Sequence, residues 1–161
     1  MRYGLPALLL VLPAFGPAAA QEPSATADEA AQVAAACGGE LYPDDVAKMS
    51  KAAVSAKLAC FTRESAKKMN ATLPKQIDET TRLESVSPQG TQLTYHYRVS
   101  FALADLKPGA FDAFKPSVAA KVCNAADMKA VIGMGGSYRY EWIDKNGAAI
   151  GSLLVSSCPS S

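Results

Sequence analysis

Histidine is the side chain whose charge changes near neutrality, and the 161-residue chain has one, His96. As a general base it would need a hydroxyl or thiol within reach. No Ser or Cys adjoins it in sequence, so a hydrolase centred on His96 is the third-ranked of three functional readings. Metal binding needs several convergent donors. With one His, only carboxylates remain, and Asp44-Asp45 and Asp78-Glu79 lack the spacing and glycine of a calcium loop. They read as a helix start and a solvated turn. Gly133-Met134-Gly135-Gly136 could suggest a phosphate cradle, yet it closes a predicted helix and opens a strand, the reverse of a phosphate loop. Asn70-Ala71-Thr72 matches an N-glycosylation acceptor, a short pattern that also arises by chance. No cofactor, no metal and no catalytic residue is expected from these patterns.

The elements that would carry these residues follow from periodicity. Leu93, Tyr95, Tyr97, Val99, Phe101 and Leu103 alternate with Gln92, Thr94, His96, Arg98 and Ser100, which predicts a strand with one buried and one wet side. Leu83 to Ser87 is a shorter strand before the turn Pro88-Gln89-Gly90, so the two make a hairpin. Tyr138, Tyr140 and Trp142 alternate with Arg139 and Glu141. Asp144-Lys145-Asn146-Gly147 then turns the chain into a strand ending near Val155.

Asp44 and Asp45 begin a predicted helix whose apolar stripe is Val46, Met49, Ala53, Ala56 and Cys60, and which can run to Pro74. Phe111 to Ile132 reads as two helical pieces, with Asn124 capping the second and Asp127 three residues on. The expected fold is therefore α+β: an antiparallel four-stranded sheet of two hairpins with the helices packed on one face, in the order helix, hairpin, helix, hairpin.

If the hairpins share a sheet, Thr94, His96, Arg98, Arg139 and Glu141 all face away from the core. That open, mixed-charge surface is the candidate binding face for an envelope protein partner. Tyr95, Tyr97, Tyr138, Tyr140 and Trp142 share the core side. The second reading is a small-molecule carrier with an aromatic pocket between sheet and helices.

The first twenty residues resemble a secretory leader. Arg2 is followed by an apolar run from Leu5 to Phe15 broken by Pro6 and Pro13, and Ala18-Ala19-Ala20 precedes Gln21. Residues 1–20 are expected to be cleaved after Ala20, leaving a soluble periplasmic or secreted chain with no membrane anchor. Residues 21–36 are expected to be a flexible or partly helical N-terminus, and 37–161 a single domain. Without Arg2 the chain holds 15 basic and 15 acidic side chains, so no basic excess points to nucleic acid. Export makes the four cysteines a disulfide framework. Three pairings are possible. Cys37–Cys60 with Cys123–Cys158 is favoured, because each bridge then closes one half of the chain.

Two longer stretches carry a resemblance: Leu73-Pro74-Lys75-Gln76-Ile77-Asp78-Glu79-Thr80-Thr81-Arg82-Leu83-Glu84-Ser85-Val86 with Leu93-Thr94-Tyr95-His96-Tyr97, and Cys123 and Met128 followed by Tyr140-Glu141-Trp142-Ile143-Asp144-Lys145-Asn146-Gly147 and Cys158. Over roughly residues 73–158 the chain resembles a family of small bacterial periplasmic proteins and lipoproteins of unassigned function. The resemblance implies a bacterial envelope location and Cys123–Cys158 pairing, and it transfers no active site. The leading reading is an exported accessory or interaction protein rather than an enzyme.

Overall fold

A computed structural model describes residues 27–159. The leader, its cleavage after Ala20 and the segment up to residue 26 lie outside the described residues.

The described residues begin with three helices: α1 (Ala27–Ala36), α2 (Pro43–Val46) and α3 (Lys51–Asn70). The strands β1 (Lys75–Gln76), β2 (Thr81–Gln89) and β3 (Gln92–Val99) follow. A 3-10 turn (Leu103–Asp105) leads to α4 (Ala110–Asn124) and α5 (Ala126–Gly133), and the chain ends with β4 (Ser137–Ile143) and β5 (Ala149–Val155). Disulfides join Cys37 to Cys60, tying the end of α1 to α3, and Cys123 to Cys158, tying α4 to the tail after β5.

The α+β class is as expected, but the sheet differs. Among the described residues it has five strands in the order β1-β2-β3-β4-β5, and β3 runs parallel to β4. Both expected hairpins are antiparallel, β2 with β3 and β4 with β5. They cannot be antiparallel to each other, because α4 and α5 form a crossover that returns the chain to the end of the sheet where β3 begins. The junction is marked by the Ser137 amide donating to the Thr91 carbonyl at 3.2 Å.

The long helix expected from Asp44 is two helices. The chain leaves helical geometry after Val46, and Ser50 restarts it by accepting the Ala53 amide at 3.2 Å. That restart resets the phase. The buried stripe is Val54, Leu58, Thr62 and Ala66, at steps of four, while Ala53 and Ala56 are exposed. Thr62 pins α3 to the β2–β3 turn, its hydroxyl donating to the Gly90 carbonyl at 2.6 Å. Likewise Asn124 is the last residue of α4 rather than a cap. The break comes at Ala125, whose extended ψ of 114° separates the two helices.

The core lies between the sheet and α3, α4 and α5. Parallel register sets Leu93 beside Tyr138, Tyr95 beside Tyr140 and Tyr97 beside Trp142. The rings stack as a block, with centroids 5.2 Å apart for Tyr95–Tyr140, 5.7 Å for Tyr97–Trp142 and 6.0 Å for Tyr140–Trp142. Ala66, Val118, Val122 and Ile132 close over them from the helices. Each ring removes a large apolar surface from water, and offset ring pairs add roughly 0.5–1.5 kcal/mol apiece.

Candidate functional site

The far side of the sheet carries the polar residues of β2, β3 and β4. Its arrangement depends on one irregularity. Leu83 pairs with Tyr97, but the next pair is Ser85 with His96, so Glu84 is an extra residue, a bulge. The bulge lets Leu83 and Val86 both point inward, at 0 % and 2 % exposure, and turns Ser85 and Ser87 to the open side that Glu84 already faces. The short strand expected over Leu83–Ser87 is therefore present, with its two-residue alternation broken at Glu84.

Two linked clusters result. Glu84 stands between two guanidiniums, 2.7 Å from Arg82 and 3.1 Å from Arg98. Arg98 also donates to the Asp144 carbonyl at 3.1 Å, which anchors it to the end of β4. Beside it, His96 joins β2 to β4: its Nε2 lies 2.7 Å from Ser87 Oγ and its Nδ1 3.2 Å from Glu141 Oε2. Arg139 completes the row, 3.9 Å from Glu141 Oε1 and donating to Ser152 Oγ on β5 at 3.3 Å.

Four of the five expected face residues, His96, Arg98, Arg139 and Glu141, thus meet in one half-exposed strip. Thr94 does not belong to the accessible surface. It lies on that side of the sheet between Ser87 and Arg139 in register, but its short side chain sits below its longer neighbours and is only 5 % exposed. Gln92 donates to its hydroxyl at 3.1 Å. Glu84, Ser87, Arg82 and Ser152 are the members that sequence spacing missed. For Ser87 the bulge is the reason, because unbroken alternation from Leu83 would have turned it inward, and for Ser152 it is the pairing of β5 with β4.

Ser87, His96 and Glu141 have the connectivity of a nucleophile, base and orienting acid. The chemical context is different. Glu141 is 42 % exposed and the three residues lie on a flat sheet surface. A cleft of about 470 Å³ is found elsewhere, lined by Val46, Met49, Val54, Leu58 and Met134, and none of the three reaches it. The expected aromatic carrier pocket has no space either, because Tyr95, Tyr97, Tyr140 and Trp142 fill their own layer by stacking and are each at most 9 % exposed. Among the described residues no group of three His, Cys, Asp or Glu side chains gathers as a metal site. No helix among them is long and apolar enough to cross a membrane.

At the end of the strip, Asp144 holds the β4–β5 turn to the 3-10 turn. Its carboxylate accepts the Leu103 amide at 2.9 Å and those of Asn146 and Ala148 at 2.8 Å. The Leu103 amide above all, with those of Ala148 and Asn146, holds its carboxyl below the usual carboxylate range, against the opposing pull of burial. Asn70, the glycosylation candidate, has its amide engaged with β2. Nδ2 donates to the Val86 carbonyl at 2.7 Å, and Oδ1 accepts the Val86 amide at 2.8 Å.

No family model matches the chain, and no curated protein matches it by sequence. Solved structures do match in shape. A Pseudomonas aeruginosa protein described as secreted, in a 1.60 Å crystal structure, is 18% identical, with a TM-score of 0.56 over 63% of this chain and 90% of its own. The type 2 secretion system pilotin EpsS of Vibrio vulnificus is 18% identical, with a TM-score of 0.57 over 66% of this chain and 97% of its own. The type II secretion pilotin AspS of Vibrio cholerae is 18% identical, with a TM-score of 0.53 over 65% of this chain and 94% of its own. At this identity the likeness establishes a shared fold: the chain has the α+β architecture of these three structures.

Proposed function

We propose that the chain is an exported accessory protein of the bacterial envelope that holds a protein partner on the open face of its sheet. The observation that carries this reading is the strip Glu84–Arg98 and Ser87–His96–Glu141–Arg139, which spans three strands on the side of the sheet opposite the core that the described helices cover. Its charges are paired within the chain, so the side chains are held in place before a partner arrives, which lowers the ordering cost of binding. The stacked aromatic core argues in the same direction, since it leaves no room for a small ligand among its rings. The shape likeness to two secretion pilotins supports an accessory role over an enzymatic one.

The test is affinity capture from an envelope fraction with the wild-type chain and with a triple variant, His96→Ala, Arg98→Ala and Arg139→Ala. The variant is expected to keep the wild-type thermal midpoint to within a few degrees and to lose the captured partner, since exposed substitutions shift stability by only about 0.5 kcal/mol each. Capture that persists in the folded variant places the partner elsewhere.

The order Ser87–His96–Glu141 supports a second reading, a hydrolase with Ser87 as nucleophile. A fluorophosphonate probe separates the two. The accessory reading expects no labelling, whereas labelling of Ser87 that disappears in His96→Ala would establish the hydrolase.

A further inference from the structure

The two edges of the sheet are built differently. β1 is two residues long, carries Lys75 and follows Pro74, all of which blunt an edge against further pairing. β5 is seven residues, Ala-Ile-Gly-Ser-Leu-Leu-Val, without a charge or a proline. Among the described residues no strand pairs with its outer side. Its irregularity lies at the Ala149 end, where the register with β4 shifts, and Gly151 to Val155 pair regularly. Leu154 is 45 % exposed on this strand, and Phe114 is 46 % exposed on α4, one turn beyond the Phe111 that packs on Gly151. A long, uncharged, regular edge is a template for another strand, and proteins that remain monomeric normally guard such edges with Lys, Pro or a central bulge.

We propose that β5 pairs antiparallel with β5 of a second copy of this chain, joining two five-stranded sheets into one. Three features favour a second copy as the occupant. The strand has no charge to repel its own duplicate, and the whole chain is nearly neutral, at a formal +1. An antiparallel pair about a two-fold axis is self-complementary by construction. Centred on Ser152, it sets Gly151 of each copy opposite Leu153 of the other on the helical side, small against large. The same axis keeps both open faces on one side, with the two β5 strands lying between the two Arg139–Glu141 rows. The inference stands independently of what the open face binds.

The experiment measures the mass of the purified protein by sedimentation over a wide range of concentration, together with hydrogen exchange at the β5 amides that point away from β4, the only β5 amides followed. Twice the chain mass at high concentration is expected, with the β5 amides protected only where the dimer is populated. Leu154→Lys places a charge on the edge without touching the core. It should give a monomer with an unchanged thermal midpoint and fast-exchanging β5 amides. A wild-type chain that stays monomeric with freely exchanging β5 amides overturns the proposal. So does a monomer with protected β5 amides, which would mean that another segment of its own chain covers the edge. A dimer whose β5 amides remain unprotected overturns it in favour of a different interface.

Discussion

Arg82 and Arg98 face each other in direct register across β2 and β3, two like charges in cross-strand contact, and both are held by one carboxylate oxygen of Glu84. Directly opposed like charges destabilise a strand pair. Here the bulged residue, Glu84, lies on the same open face and supplies the charge that makes the pair tolerable. Glu84→Gln should lower stability by roughly 0.5–1 kcal/mol at low ionic strength. Denaturant midpoints measured at rising salt should show the difference shrink as the arginine repulsion is screened. A cost independent of salt would mean that Glu84 acts through packing instead.

Gly151 is required by a ring. It pairs with Trp142, and a β-carbon there would overlap the edge of Phe111, which packs at 5.3 Å edge-on to the same tryptophan. Gly151→Val should cost about 1–3 kcal/mol even though valine is the better strand former. The only tryptophan, Trp142, reports the event. Its emission is expected to be blue-shifted in the native protein, since it is 7 % exposed, and to move red in the variant as Phe111 is displaced. An unchanged spectrum and midpoint would show that Phe111 swings aside freely.

Asn70 serves as a short stretch of strand, donating to and accepting from the same residue, Val86. Asn70→Asp keeps the shape and turns the donor into a second acceptor facing the Val86 carbonyl. A loss of about 1–2 kcal/mol is expected at neutral pH. Part of it should return on acidification, because the protonated carboxyl can donate again. Equal stability of the two proteins in urea at neutral pH would remove this link between α3 and β2.

Asp144 gives the fold a sensitivity to acid. Its carboxyl titrates below 3.8, the ordinary value, because backbone amides bind the charged form. The stability this contributes is therefore present above 3.8 and is lost as the pH falls below that value toward the lower folded-state value. Asp144→Asn should flatten the stability profile in that acid range while lowering the plateau at neutral pH. A wild-type profile that is already flat below 3.8 would mean that the three amide bonds do not persist in solution.

Local order is what the sequence determines by itself. The period of two in Gln92–Val99 and Ser137–Ile143 identifies the strands and the inner aromatic face, since a side chain on a strand has only two directions to point. Asn146-Gly147 marks the last turn, with Gly147 at a φ of +88° that an L side chain rarely adopts. The candidate strip was legible to the same extent, as His96, Arg98, Arg139 and Glu141 on one side. Tertiary structure decided the rest. The parallel β3–β4 junction comes from where the α4–α5 crossover delivers the chain, which no strand's own pattern records. The bulge at Glu84 becomes visible only against β3, because it is a mismatch in count between two strands. Thr94 alternates correctly yet is buried, because exposure depends on the length of the side chains that neighbouring strands place around it. Ser50 restarts α3 and rotates its buried stripe to Val54, Leu58, Thr62 and Ala66, since a helix has no phase until its first turn is capped and its partner surface is in place.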